Sequence, residues 1–208
     1  MLVDKTVSGF AEELSSNSPA PGGGSAAALA GSLGAALTMM VCNFTEGKPK
    51  FINVQDEIAQ IKQKGLALKQ VLMDYVDEDT NAFDEVMKAY RLPKETDEQK
   101  ALRSEKIQEA TKHATLLPLK VAESCVEVLK ISLRVLTIGN PNTACDAAVS
   151  GVTAYAGFQG AIFNVKINLS SINDDAFLQN VREKVVGLQE EADKNNQLIL
   201  ARAKEVIG

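Results

Sequence analysis

Ser25-Ala-Ala-Ala-Leu-Ala-Gly-Ser-Leu-Gly-Ala-Ala-Leu-Thr-Met-Met-Val-Cys-Asn-Phe-Thr45 is the stretch that decides the fold. It holds no charge and no proline, and its apolar residues do not alternate with period two, so it reads as a helix. A helix apolar on nearly every face has to be buried on nearly every face. The run is about long enough to span a bilayer. Its Ala, Gly, Ser, Thr, Asn and Met content contributes little to insertion, which points instead to the buried helix of a cytoplasmic protein. Ahead of it, Ser15-Ser-Asn-Ser-Pro-Ala-Pro-Gly-Gly-Gly-Ser25 is loop, ending on Gly24-Ser25 as the expected N-cap. Glu46-Gly-Lys-Pro49 stops the helix at its other end.

The same signature recurs over Thr143–Ile167, another nearly charge-free run rich in Ala and Gly. Small residues at helical spacing in both runs (Gly31 and Ala35; Ala147, Gly151 and Ala154) let backbones approach closely. A chain of 208 residues has little left to cover two such helices, so a second copy is expected, as a homodimer. The remaining segments are ordinary amphipathic helices. They cover about Val3–Leu14; Val54–Arg91, stopped by Leu92-Pro93; Thr96–Leu136; and from about Asp174 to Val206. Thr96-Asp-Glu-Gln99 has the form of a capping box, and Pro118 is expected to kink or split its helix. The expected architecture is one all-α domain over residues 1–208, a bundle of six or seven helices.

Composition narrows the function. There are 22 Lys and Arg against 27 Asp and Glu, a net charge of −5, and no stretch sets basic residues beside aromatics. Nucleic acid and anionic membrane are therefore disfavoured as partners. The three cysteines (Cys42, Cys125 and Cys145) are widely spaced in apolar runs and read as buried free thiols rather than a disulfide or zinc framework. The amino terminus shows no secretory signal. The only histidine, His113, falls on a charged helix face, so Ser-His-Asp, Cys-His and di-iron arrangements find no support and no metal site is expected.

Polar groups where the pattern wants apolar ones are the candidates for chemistry. On the Val54–Arg91 helix the apolar stripe passes through Ile58, Ile61, Gly65, Leu68, Leu72 and Val76 to Phe83, Val86 and Tyr90. Asp79 is the residue that continues it between Val76 and Phe83. Burial of a lone carboxylate raises its pKa towards the range a general acid/base needs near neutrality. Periodicity alone leaves open a solvated charge at the stripe's edge or a structural ion pair. On the later apolar helix, Asp146, Ser150, Thr153, Gly157, Gly160, Asn164 and Asn168 draw a polar-and-small line, with Asp146 and Asn164 on one face about five turns apart. That line reads as a groove floor for a flat ligand or as helix–helix hydrogen bonding; Ser32 and Asn43 form a weaker version on the earlier helix. The Pro21-Gly22-Gly23-Gly24-Ser25 loop can present backbone N–H groups to an anion or carbonyl, although it is not a P-loop.

Taken together, these motifs resemble a known family. They are Ser18-Pro-Ala-Pro-Gly-Gly-Gly-Ser25-Ala-Ala-Ala, Val76-Asp-Glu-Asp79-Thr-Asn-Ala-Phe83, Tyr90-Arg-Leu-Pro-Lys94, Gly139-Asn-Pro-Asn-Thr-Ala-Cys-Asp146 and Gly160-Ala-Ile-Phe-Asn164-Val-Lys-Ile-Asn168-Leu. Their order and spacing are similar to the cyclodeaminase domain of formiminotransferase-cyclodeaminase, whose free-standing bacterial members include methenyltetrahydrofolate cyclohydrolases. The resemblance covers roughly residues 3–205. It implies an all-helical homodimer with a folate pocket that closes 5-formimidoyltetrahydrofolate to 5,10-methenyltetrahydrofolate with release of ammonia. Hydrolysis of the methenyl compound at the same site is the alternative, and no cofactor is implied beyond the tetrahydrofolate derivative itself. The acid/base it implies is an aspartate of the Asp-x-Asp-x-x-Ala-Phe segment, Asp77 or Asp79, of which the stripe selects Asp79. Pro21, Gly22, Gly23, Gly24, Ser25, Asn43, Asp146, Asn164 and Asn168 map onto the expected substrate pocket. A reading of another class is a helical dimer that binds folate without turning it over.

Overall fold

The computed structural model describes residues 1–208 and contains six α-helices with three short 3-10 turns and no strand. The helices are α1 (Val7–Leu14), α2 (Gly23–Thr45), α3 (Gln55–Tyr90), α4 (Asp97–Ile138), α5 (Ala144–Leu169) and α6 (Asp175–Ile207). Helix α2 is long and apolar enough by composition to cross a membrane, but 56% of that window is buried inside the bundle.

Each start follows from its sequence. Thr6 caps α1 by accepting from the Gly9 N–H at 3.0 Å, and Thr96 with Gln99 forms the expected capping box on α4. Asp174 caps α6 through the Phe177 N–H at 3.0 Å. Helix α2 differs from expectation. It begins two residues early, its N-cap Gly22 has no side chain to offer, and Ser25 sits inside the first turn. Pro118 does not split its helix either. Its missing N–H leaves the Ala114 carbonyl, one turn back, without an intrahelical partner, and Asn168 of α5 donates to that carbonyl at 2.8 Å. Helix α4 therefore runs unbroken through the proline.

Successive helices run antiparallel. Ser25 faces Val76 and Asp79 across α2 and α3, and Ser32 faces Lys69 further along. Helices α2 and α5 approach backbone to backbone: a methyl group on Gly157 would lie 2.7 Å from the Ala27 carbonyl, and one on Gly34 would lie 2.9 Å from that of Ser150. Only glycine permits that separation. At mid-height Thr38, Ser132 and Ser150 of α2, α4 and α5 join their hydroxyls at 2.7 to 3.1 Å, and Ser150 also donates to the Gly34 carbonyl at 2.6 Å. Every hydroxyl in this buried triad is satisfied, so it adds register without leaving a polar debt. Much of the polar line on α5 is therefore helix packing: Ser150 and Gly157 are buried against α2 and do not floor a groove.

One core cluster of 33 buried residues spans α2 to α6. Cys42 and Cys125 lie in it as expected, whereas Cys145, in the first turn of α5, is exposed. Burial pushes the Cys42 thiol up to about 11 and Cys125 up to about 12, so both stay protonated.

Candidate active site

Helix α3 outruns its neighbour. From Ile58 to Val76 its apolar stripe packs into the core, but α2 begins only at Gly23, level with Asp79. The last turns of α3, about 17 Å from Asp79 to Tyr90, thus extend past the end of α2. Ala82, Phe83, Val86 and Tyr90 continue the stripe there and wall a cleft of about 340 Å³ instead of filling a core. Thr111 and Ala114 of α4 stand behind them, Asn164 and Asn168 of α5 with Ser171 form the opposite side, and Pro19, Ala20 and Gly22–Gly24 close the floor.

Asp79 stands where these elements meet. Its Oδ2 accepts from the Ser25 backbone N–H at 2.8 Å and lies 3.1 Å from the Ser25 hydroxyl, while Oδ1 takes no hydrogen bond. The Ser25 N–H is one of the donors that the first turn of a helix leaves without partners, so Asp79 supplies from α3 the cap that Gly22 cannot. Gly24 makes the approach possible: a Cβ there would fall 2.1 Å from Asp79 Oδ1. Burial lifts the Asp79 carboxyl above the ordinary aspartate value of 3.8, and the two Ser25 donors pull it part of the way back. No cation faces it, and Tyr90 is the only other titratable side chain along the cleft.

The sequence left Asp77 and Asp79 in competition, and their surroundings separate them. Asp77 points to the other side of α3, where Oδ1 accepts the Leu2 N–H at 2.5 Å and ties down the amino-terminal turn. It does not line the cleft.

The structure gathers some of the remaining expected site residues and disperses others. Gly22, Gly23, Gly24, Asn164 and Asn168 line the cleft beside Asp79. The Gly23 and Gly24 N–H groups open the first turn of α2 with no partner, as the loop motif suggested. The Asn164 amide donates to the Gly160 carbonyl at 2.9 Å, and a methyl on Gly23 would lie 3.4 Å from it. Asn168 donates one amide N–H to the Ala114 carbonyl, which leaves its carbonyl oxygen and its second N–H for a ligand. Pro21 is buried behind the loop, and Ser25 is wholly buried behind Asp79, so neither touches the cleft. Asn43 and Asp146 do not line this cleft. Asn43 is exposed at the far end of α2, about 28 Å along the helix from Gly24, and Asp146 opens α5 about 27 Å from Asn164. Sharing a helix face over several turns aligns residues without bringing them together. Phe83, Val86, Tyr90 and Thr111 were absent from the expected site, although the stripe had already named the first three as core.

Fold and site together define an all-helical protein with a single carboxylate in a cleft at one end of the bundle. Comparison with known proteins makes the class specific. The family model described as formiminotransferase-cyclodeaminase matches residues 6–186. A methenyltetrahydrofolate cyclohydrolase of Methylorubrum extorquens is 42% identical over 207 residues, end to end on both chains. The pig (Sus scrofa) formimidoyltransferase-cyclodeaminase is 35% identical over 97% of this chain, which spans 37% of that longer protein. The crystal structure of formiminotetrahydrofolate cyclodeaminase from Thermotoga maritima superposes with a TM-score of 0.91 at 25% identity, covering all of both chains. The chain is an enzyme of the formiminotransferase-cyclodeaminase family.

Proposed function

We propose that this enzyme converts 5-formimidoyltetrahydrofolate to 5,10-methenyltetrahydrofolate and ammonia, with Asp79 as acid and base. The observation that carries the reading is the split environment of that carboxylate, one oxygen anchored by Ser25 and the other unengaged on the cleft. N10 of the bound folate attacks the carbon of the formimidoyl group, which enters protonated as its amidinium. Asp79 Oδ1 takes the N10 proton as the C–N10 bond forms and C=NH2+ becomes C–NH2. The same proton then passes to the amino group on the tetrahedral carbon. The C–NH2 bond breaks, ammonia leaves, and the N5 lone pair completes the methenyl bridge. Holding N5, N10 and the one-carbon unit in near-attack geometry supplies much of the acceleration. A cleft of about 340 Å³ takes the ring end of a folate and leaves its tail outside. Gly23 and Gly24 N–H groups and the Asn164 and Asn168 carbonyl oxygens supply donors and acceptors for its edge, and Phe83 and Tyr90 supply apolar wall.

A second reading is favoured by the end-to-end similarity to the Methylorubrum cyclohydrolase. In it the substrate is 5,10-methenyltetrahydrofolate, and Asp79 takes a proton from the water that attacks the bridge carbon. The methenyl chromophore separates the two. Its growth on mixing the protein with 5-formimidoyltetrahydrofolate establishes cyclodeamination, and its decay on mixing with the methenyl compound establishes hydrolysis. Saturable binding with neither change leaves a non-catalytic binder and refutes both.

The working form we propose is a cytoplasmic homodimer of a single-domain chain, with no membrane or nucleic-acid partner and no cofactor besides the folate. Leu33, Met40 and Phe44 on α2 and Val149, Val152, Phe163 and Ile167 on α5 remain exposed at helical spacing. These residues are the uncovered faces of the two predominantly apolar helices, and a second copy offers the same chemistry in return.

A further inference from the structure

Ser25 has no contact with the cleft, yet its hydroxyl has two acceptors and one proton to give. The Val76 carbonyl lies 2.9 Å from Oγ and Asp79 Oδ2 lies 3.1 Å from it. Both acceptors belong to α3, one turn apart, and the serine between them is wholly buried, with no water-accessible surface through which a third partner reaches it. The backbone N–H of the same residue holds Oδ2 at 2.8 Å whichever way the hydroxyl turns.

We propose that Ser25 is a positioning residue whose hydroxyl changes acceptor with the protonation state of Asp79. With Asp79 ionised, the hydroxyl donates to Oδ2 and stabilises the charge. When Oδ1 takes a proton, Oδ2 becomes a neutral carbonyl oxygen and a poorer acceptor, and the hydroxyl rotates to the Val76 carbonyl. The only bond that changes is O–H at Oδ1; the Ser25 proton never leaves Oγ. The buried hydroxyl is satisfied in both states, so neither step of a proton round trip strands a polar group. Unlike a fixed donor, it does not lock the carboxylate in its charged form. The groups around Asp79 offer no alternative control. The neighbouring carboxylates on α3 point away, Asp77 to Leu2 and Glu78 to solvent, and α2, α4 and α5 present no charged side chain to the cleft.

The assignment of a reaction to this hydroxyl rests on the folate reading, but the acceptor switch is measurable without any folate. Carbon-13 titration of the free enzyme, with the Asp79 carboxyl resonance assigned by its loss in Asp79→Asn, gives the midpoint directly. In Ser25→Ala the midpoint rises by about one pH unit, the loss of one charge-assisted donor. The acid limb of kcat/KM moves with it, whereas Ser25→Thr, which keeps the hydroxyl, restores both. Ser25→Cys, with a similar shape and a weaker donor, gives a smaller rise and serves if the alanine variant does not fold. A merely structural serine lowers the melting temperature and leaves the midpoint in place. An unmoved or lowered midpoint in folded Ser25→Ala overturns the proposal, as does failure of both the alanine and cysteine variants to fold. A risen midpoint, with the wild-type Val76 carbonyl carbon-13 resonance titrating in step with Asp79, upholds the switch even in a protein that turns over no folate, where it removes the folate chemistry. A Val76 resonance that does not titrate means a fixed donor and overturns the switch.

Discussion

At the scale of single residues, Asp79 does two things at once: it caps α2 from outside and it offers an open oxygen to the cleft. The first role survives replacement by asparagine, whose carbonyl oxygen accepts the Ser25 N–H as before. The second does not. The pKa of Asp79 also has a stability consequence whose sign is fixed. Its carboxyl is held above the ordinary value of 3.8 in the folded chain, so the folded state binds its proton more tightly than the unfolded state does. The associated stability is full below the ordinary value and is lost as pH rises through the raised one. Asp79→Asn should therefore melt no lower than wild type at neutral pH, and its advantage should shrink as the medium is made acid. Melting curves across that range check it, and an advantage that grows towards acid pH contradicts the assignment. Gly24 gives a complementary test. Gly24→Ala places a methyl 2.1 Å from Oδ1, which drives the carboxylate off Ser25. We expect kcat/KM to fall by about a hundredfold, with secondary structure by circular dichroism unchanged.

At the scale of helices, the instructive pair is Pro118 and Asn168. A proline inside a long apolar helix predicts a break, and nothing in one sequence says that an asparagine 50 positions later repairs it. The repair is tertiary: the freed Ala114 carbonyl meets the Asn168 amide only because α5 runs alongside. Asn168→Ala should cost about 1–3 kcal/mol by leaving that carbonyl unpartnered. In a Pro118→Ala background, where the backbone N–H of residue 118 satisfies it, the same substitution should cost markedly less, and chemical denaturation of the double-mutant cycle reads the difference. The start of α2 was misread for a similar reason. Gly24-Ser25 has the form of an N-cap, but the cap that wins is a carboxylate from another helix. Periodicity singles out Asp79, which lines the cleft, because a stripe is a local property. It also draws in Asn43 and Asp146, which lie far from that cleft, because distance along a helix, rather than shared face, decides what lines a pocket. Phe83, Val86 and Tyr90 had the right pattern and the wrong destination, since only the length of α2 tells whether a stripe ends in core or in cleft.

At the scale of the molecule, charge-free α2 and nearly charge-free α5 mark the all-helical class in the sequence, and the fold places them side by side through glycine contacts too close for any Cβ. Their outer faces stay uncovered, with Phe163 64% and Ile167 67% exposed. Sedimentation should give twice the chain mass for the wild type. Phe163→Glu with Ile167→Glu should give a single chain that keeps its helix content, and a monomeric wild type refutes the dimer.

The account turns on proton transfer by Asp79, and one comparison reaches it most directly. Initial rates of methenyl chromophore formation from 5-formimidoyltetrahydrofolate are measured at neutral pH for wild type and Asp79→Asn, both verified as folded and folate-bound. We predict that the asparagine enzyme is slower by about 10²–10⁴-fold at saturating substrate, the usual worth of a general acid/base. Equal rates would mean that the carboxylate only caps a helix.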